Sequence, residues 1–248
     1  MKMALVKLKE TSSTNTWCRE HIRDVDMPVF VMTEAQTAGR GQRGNSWEAE
    51  AGKNLTFSIV WRPEGVSPAE QFAISEAVAL GVKDYLGSRG IEARVKWPND
   101  IYAGDRKICG ILIEHSILGC RIDRSIIGVG VNVNQSVFVS DAPNPVSMTN
   151  ISGKRYDLET EADEISEYIS VRLDDATSEN GRRVLHEDFM SGLWRGDGGW
   201  YPFRDVEEGR FFTGRIEGVA PTGHLAVRER DSDKIRSYAF KEVEFILG

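Results

Sequence analysis

The stretch Gly39-Arg40-Gly41-Gln42-Arg43-Gly44-Asn45-Ser46-Trp47 constrains the fold most, because it imitates a motif whose surroundings it lacks. Gly39, Gly41 and Gly44 satisfy G-x-G-x-x-G, the dinucleotide-binding fingerprint. That turn needs a strand running straight into the glycines and a helix starting on the last one. Here the apolar run 28–32 stops short at Thr33-Glu34-Ala35-Gln36-Thr37-Ala38. Asn45-Ser46-Trp47-Glu48 and then Gly52 make poor helix material. No Gly-Lys-Ser/Thr follows, so a Walker A loop does not fit either. With a doubly wound nucleotide fold argued against, the alternatives are a plain surface loop and a ligand loop. Glycines let backbone approach a ligand closely and adopt positive φ. Arginine forks suit phosphate or carboxylate, and an indole offers a flat apolar face. As a ligand loop, the stretch would close over an anionic, partly aromatic molecule such as a nucleotide or an acyl-adenylate.

The flanking patterns give a mixed architecture. Residues 3–8 alternate as a strand, and Ser12-Ser13-Thr14-Asn15 leads into a short helical pattern through Ile22. Residues 55–61 are a β-rich run. Ser67-Pro68-Ala69-Glu70 reads as a capping box opening a helix that ends near 87–90. Residues 95–97, 107–115 and 122–133 read as strands, and 161–176 and 183–192 as helices. Gly196-Asp197-Gly198-Gly199 is a flexible joint. Beyond it, 211–218, 225–228 and 235–240 are short strands, with Pro221-Thr222-Gly223 as a turn. The expected fold class is therefore α+β. A mixed central sheet flanked by helices spans 1–196, and a small all-β module spans 197–248.

Charge narrows the partners. A net charge of −7 and a pI near 5.3 argue against a general affinity for nucleic acid or anionic membrane, so anion binding must come from a local basic site. No run approaches a membrane span, and the N-terminus has no signal-peptide core. Cys18, Cys109 and Cys120 lack metal or redox spacing and suit reduced thiols in the cytoplasm. The four histidines have no ligand-like spacing.

A second constellation is Lys96-Trp97-Pro98-Asn99-Asp100-Ile101-Tyr102, followed by Asp105-Arg106-Lys107-Ile108-Cys109-Gly110-Ile111-Leu112-Ile113-Glu114. It reads as strand, polar turn, strand, with Asn99 and Asp100 at the reversal and Lys107 opening an apolar strand. A solvated edge lysine is the ordinary alternative for Lys107. A third piece, Gly128-Val129-Gly130-Val131-Asn132, is a glycine-thinned strand ending in an amide.

With Ser13-Thr14-Asn15 and Gln36, these pieces resemble the biotin protein ligase family in order and spacing over nearly the whole chain. The resemblance implies a class II synthetase-like ligase fold with a small SH3-like C-terminal β-barrel. It implies that ATP and Mg²⁺ activate biotin to biotinyl-5′-AMP, which is passed to a lysine of a biotin carboxyl carrier domain of a carboxylase. Lys107, Arg40 and Arg43 are the implied catalytic cations, and Asp100 the implied metal contact. Ser13, Thr14, Asn15, Gln36, Gly39, Arg40, Gly41, Gln42, Arg43, Lys107 and Gly110 are implied around biotin. Ile111 and Leu112 join Gly110 along the valeryl chain. Arg40, Trp47, Asn99, Lys107 and Asn132 are implied around ATP. Many relatives carry arginine where this chain has Gln42, which implies faster loss of the adenylate here.

A lipoate or octanoate ligase would share the catalytic fold, but it would lack Lys-Trp-Pro-Asn-Asp. A non-catalytic biotin binder would not need the nucleotide side. A repressor would need a DNA-binding domain, for which little chain precedes Ser12, so the expectation is ligase only, as a monomer or homodimer.

Overall fold

Two sheets account for the strand patterns. The computed structural model describes residues 3–23, 26–139 and 144–247, and of Arg43 the backbone alone. The first part runs β1 (Ala4–Thr11), α1 (Thr14–His21), β2 (Val29–Gln36), β3 (Leu55–Trp61), α2 (Phe72–Ser88), β4 (Arg94–Lys96), β5 (Asp100–Ala103), β6 (Arg106–Leu118), β7 (Arg121–Val131), α3 (Met148–Ser152), α4 (Leu158–Ala176) and α5 (Glu179–Ser191). Its seven strands order as β1-β2-β3-β7-β6-β5-β4, with β1 and β2 parallel and the remaining pairs antiparallel. The second part is β8 (Tyr201–Asp205), β9 (Arg210–Val219), β10 (Leu225–Glu229), β11 (Ile235–Tyr238) and β12 (Val243–Phe245), ordered β11-β10-β9-β8-β12.

Side-chain alternation divides the large sheet into two faces. Phe30, Ile59 and Ile127 join the apolar residues of α2, α4 and α5 in the main core. Their neighbours Val31, Val60 and Ile126 instead pack with Cys18 of α1. All seven residues of β3 are buried, as a strand covered on both faces requires.

The mixed α+β architecture is as expected, with differences of physical interest. The strand before the glycines does not stop at 32. Parallel pairing with β1 carries β2 on to Gln36, opposite Thr11. The helix required by a dinucleotide fold is absent there, since Gln42–Gly44 form only a 3₁₀ turn. The Ser67–Glu70 box caps a 3₁₀ turn, Pro68–Glu70, and α2 begins after it. Asp100 lies in β5 rather than in a reversal, paired with Lys96 on one side and Gly110 on the other. The C-terminal module is an open antiparallel sheet: β11 and β12 are its two edges, and among the described residues it does not close into a barrel. The two sheets meet through aromatic residues. Trp97 Nε1 donates to Gly223 O at 2.9 Å and its ring lies edge-on to Phe240, while Trp194 contacts Phe245. Among the described residues, no helix is long and apolar enough to cross a membrane.

Candidate active site

A cavity of about 1040 Å³ opens on the α1 face of the large sheet, and the C-terminal sheet forms one of its walls. Most of the residues singled out in the sequence line it: Ser13, Thr14, Asn15, Gln36, Arg40, Gly41, Gln42, Trp47, Asn99, Asp100, Lys107, Gly110 and Asn132. Gly39 adjoins Trp47, since a Cβ there would meet the Trp47 carbonyl oxygen at 2.5 Å. The side chain of Arg43 lies outside the described part of the structure.

One end of the cavity is neutral and internally bonded. Because β1 and β2 run parallel and end together, the chain after Thr11 and the side chain of Gln36 meet at one sheet edge. Gln36 Oε1 accepts from Thr14 N at 2.9 Å. Ser58 Oγ lies 2.7 Å from Thr14 Oγ1 and donates to Asn15 Oδ1 at 2.6 Å. Asn15 Nδ2 in turn donates to Leu112 O at 3.2 Å and to Glu114 Oε2 at 2.9 Å. Ser58 was not anticipated. The available signal was the alternation within Leu-Thr-Phe-Ser-Ile-Val-Trp, which turns Thr56 and Ser58 toward one face.

The floor of the cavity is stripped of side chains. Gly110 and Gly130 are register partners, as are Leu112 and Gly128. The indole of Trp47 lies on the Gly110–Gly130 pair: a Cβ on Gly110 would come within 2.9 Å of it, and one on Gly130 closer still. Gly128 admits the Asn15 amide in the same way. These glycines are needed for close approach rather than for an unusual φ.

The loop carrying Trp47 folds back on itself. Arg40 bridges Ser46, Gly41 N donates to Asn45 O at 2.7 Å, and Trp47 N donates to Gly39 O at 2.9 Å. Gly44 takes the positive φ, 88°. Arg40, expected to face an anion, here holds both carboxylate oxygens of Glu114 at 2.9 Å. Arg19 pairs with the same carboxylate.

The other end of the cavity is charged. Lys107 Nζ is 2.6 Å from Asp100 Oδ1 and 5.6 Å from the Trp47 ring centroid. Lys96, not anticipated as a site residue, stands 4.0 Å from Asp100 Oδ2. Burial pushes its ammonium below the ordinary lysine range; Asp100 opposes this, while Lys107 and Arg195 add to it. Asn132 Nδ2 donates to Val146 O at 3.1 Å, and the backbone of Lys107 is clamped by Asn144 and Val146. Asn99 Nδ2 is turned to Ile111 O at 2.5 Å. Among the described residues, Trp47 Nε1 and Asn132 Oδ1 are buried without a hydrogen-bond partner. Such atoms are costly unless a ligand or water satisfies them. The arrangement suits a molecule with a neutral donor–acceptor head, a slender apolar middle and an anionic tail.

Comparison with known proteins identifies the family. Residues 7–132 match the model of the Biotin/lipoate A/B protein ligase family. The chain belongs to that family. Among its relatives, the biotin–[acetyl-CoA-carboxylase] ligase of Paracoccus denitrificans is 34% identical over 159 residues, 61% of this chain and 65% of that protein. The bifunctional ligase/repressor BirA of Escherichia coli is 36% identical over 122 residues, 49% of this chain and 38% of that protein. The match therefore spans less than two thirds of either relative. The biotin protein ligase of Aquifex aeolicus, solved in complex with biotin and ATP, shares the ligase-family fold over 99% of both chains, with a TM-score of 0.80 at 24% identity.

Proposed function

We propose that this ligase-family chain joins biotin to protein in two steps. In the first, a biotin carboxylate oxygen attacks the α-phosphorus of ATP, and the bond to the β-phosphate oxygen breaks. Biotinyl-5′-AMP forms and pyrophosphate leaves. In the second, a lysine amine of a biotin carboxyl carrier domain attacks the acyl carbon; AMP leaves and the amine proton passes to solvent. The observation that carries this reading is one cavity whose hydrogen-bonded neutral end and lysine end are joined by a glycine floor. The relatives named as biotin ligases and the biotin and ATP of the Aquifex complex support it.

In this reading Ser13, Thr14, Asn15, Gln36 and Ser58 meet the ureido head, whose donors and acceptor suit hydroxyls and amides. Gly110, Ile111 and Leu112 flank the valeryl chain once the Trp47 indole moves off the Gly110–Gly130 pair. Lys107 stands at the carboxylate–phosphate junction and stabilises charge as the two anions approach. Arg40 must leave Glu114 to join it. The loop from Gly39 to Trp47, with Gln42 and Arg43, then excludes water from the mixed anhydride. Trp47 and Asn132 supply the unpartnered polar atoms, and Asn99 the neighbouring amide, on the nucleotide side.

Magnesium fits here only as the ion that ATP carries. Asp100 is a single carboxylate already paired with Lys107, and no cluster of three metal-ligating side chains occurs among the described residues. Magnesium-dependent phosphate sites commonly supply one or two carboxylates and leave the remaining contacts to phosphates and water. Asp100 would be that contact. The division at 196/197 into ligase domain and β module belongs to the same proposal, supported by the separate strand ladders. The three free cysteines support a reducing, cytoplasmic setting.

The test is pyrophosphate release with MgATP and biotin, run beside lipoate and octanoate, in wild type and Lys107→Ala. Release with biotin alone, lost in the variant, is expected. Release with lipoate or octanoate instead would move the chain to the other branch of its family.

A further inference from the structure

Two cations bridge the sheets, each lying between one ring from either side. Arg195 Cζ is 4.1 Å from the Trp194 ring centroid and 4.8 Å from that of Tyr201, and its guanidinium donates to Ile246 O at 2.9 Å. Lys96 Nζ is 5.2 Å from the centroids of both Tyr102 in β5 and Phe245 in β12. The two have different surroundings. Arg195 is spent on the junction itself. Lys96 lines the cavity, and 4.0 Å from it lies Asp100 Oδ2, whose other oxygen holds Lys107 at 2.6 Å. The Lys96 side chain is only 19% exposed. An ammonium so buried needs compensation, and here two π faces and one shared carboxylate provide it.

We propose that Lys96, gripped between Tyr102 and Phe245, is a positioning residue that shares Asp100 with Lys107, so that the C-terminal sheet sets the charge balance at the reacting end of the cavity. The proposal rests on the ligase reading for its reaction, though not for its electrostatics. With both lysines present, one carboxylate faces two ammonium groups and the cluster keeps a net positive charge toward an incoming anion. Without Lys96, Asp100 and Lys107 neutralise one another, and this cluster offers an arriving phosphate no surplus charge of its own. Without the Phe245 ring, Lys96 loses its C-terminal wall and turns toward water, which leaves Asp100 to Lys107 alone. The neutral end, built from Thr14, Asn15, Gln36 and Ser58, shares no residue with this cluster and is left intact.

The test uses the full chain and four variants: Lys96→Met, Lys96→Arg, Phe245→Leu and Phe245→Tyr. Pyrophosphate binding is measured directly by calorimetry, and biotin activation by its dependence on MgATP and on biotin. Lys96→Met is expected to weaken pyrophosphate binding and raise the KM for ATP by about tenfold or more, with kcat falling as well, as for loss of one charge-stabilising contact. Biotin affinity should stay within about twofold, since no bond to the head end is altered. Lys96→Arg restores the charge and recovers most of the loss. Phe245→Tyr keeps the π face and behaves like wild type, whereas Phe245→Leu shows part of the Lys96→Met defect. Unchanged pyrophosphate binding in Lys96→Met would overturn the proposal, as would equal behaviour of Phe245→Leu and Phe245→Tyr. If Phe245→Leu melts early, the Lys96→Met and Lys96→Arg pair decides alone. If wild type turns over no biotin, the ligase reading fails, and charge sharing still stands or falls on pyrophosphate binding.

Discussion

The two ends of the cavity are built on different principles. At the neutral end Gln36, Thr14, Ser58 and Asn15 are already joined in one hydrogen-bonded chain that ends on Glu114. At the charged end a carboxylate is shared by two lysines, and the buried Trp47 Nε1 and Asn132 Oδ1 have no partner among the described residues. A closed network holds its shape before any ligand arrives, so binding there costs little reorganisation. An incompletely satisfied cluster gains most when a ligand supplies the missing partner, which suits interactions that strengthen as the reaction proceeds. On the proposed ligase reading, one end recognises and the other reacts.

That division can be broken by substitution, and the largest effect should fall on the reacting end. Lys107→Ala is expected to slow pyrophosphate release by ~10²–10³, with biotin affinity by calorimetry nearly unchanged. A comparable loss of biotin affinity would erase the distinction between the ends. Gly128→Ala attacks the recognising end, because its new Cβ runs into the Asn15 amide. Overpacking of this kind costs about 1–3 kcal/mol, so biotin should bind roughly five- to a hundredfold more weakly, with the ATP dependence of turnover little altered. Ser58→Ala removes one link of the same network, worth about 0.5–1.5 kcal/mol. Biotin affinity should fall roughly two- to tenfold, and a shift in ATP dependence instead would misplace Ser58. Smallest of all is Glu114→Gln. It releases Arg40 from an ion pair at the exposed mouth, where such pairs contribute about 0–1 kcal/mol. A change under about fivefold in adenylate retention, followed by trapping radiolabelled intermediate, is expected.

Much of the recognising end was legible because its residues fall in short polar runs beside strong strand patterns: Ser13-Thr14-Asn15 after the first strand, and Gln36 before the glycines. Ser58 sits inside a run whose apolar neighbours mask the alternation that turns it, with Thr56, toward one face. At the reacting end, Lys107 and Asp100 were legible as a motif, but their direct ion pair was not. It depends on β5 being a strand, and Asp100-Ile101-Tyr102-Ala103 is too short to declare itself against a polar turn. Lys96 stands in the same motif, but nothing local marks it, since its partners Tyr102 and Phe245 come together only when the sheets dock. The open C-terminal sheet followed a similar pattern. β9 and β10 alternate visibly, whereas β8 carries a proline and β12 has three residues. Arg40 shows the limit of reading by residue type. A guanidinium among glycines suits an anion, and in this structure the anion is Glu114.

The placement of Phe245 has a consequence for how the molecule matures. Domains made on a ribosome generally fold from the N-terminal side as the chain emerges. The residues of the neutral end all lie between Ser13 and Gly128, so they are in hand while the C-terminal sheet is still unmade. Phe245, a wall of the charged end, is among the last residues described. If the ligase reading holds, the growing polypeptide acquires the residues that select a molecule well before those that complete its activation.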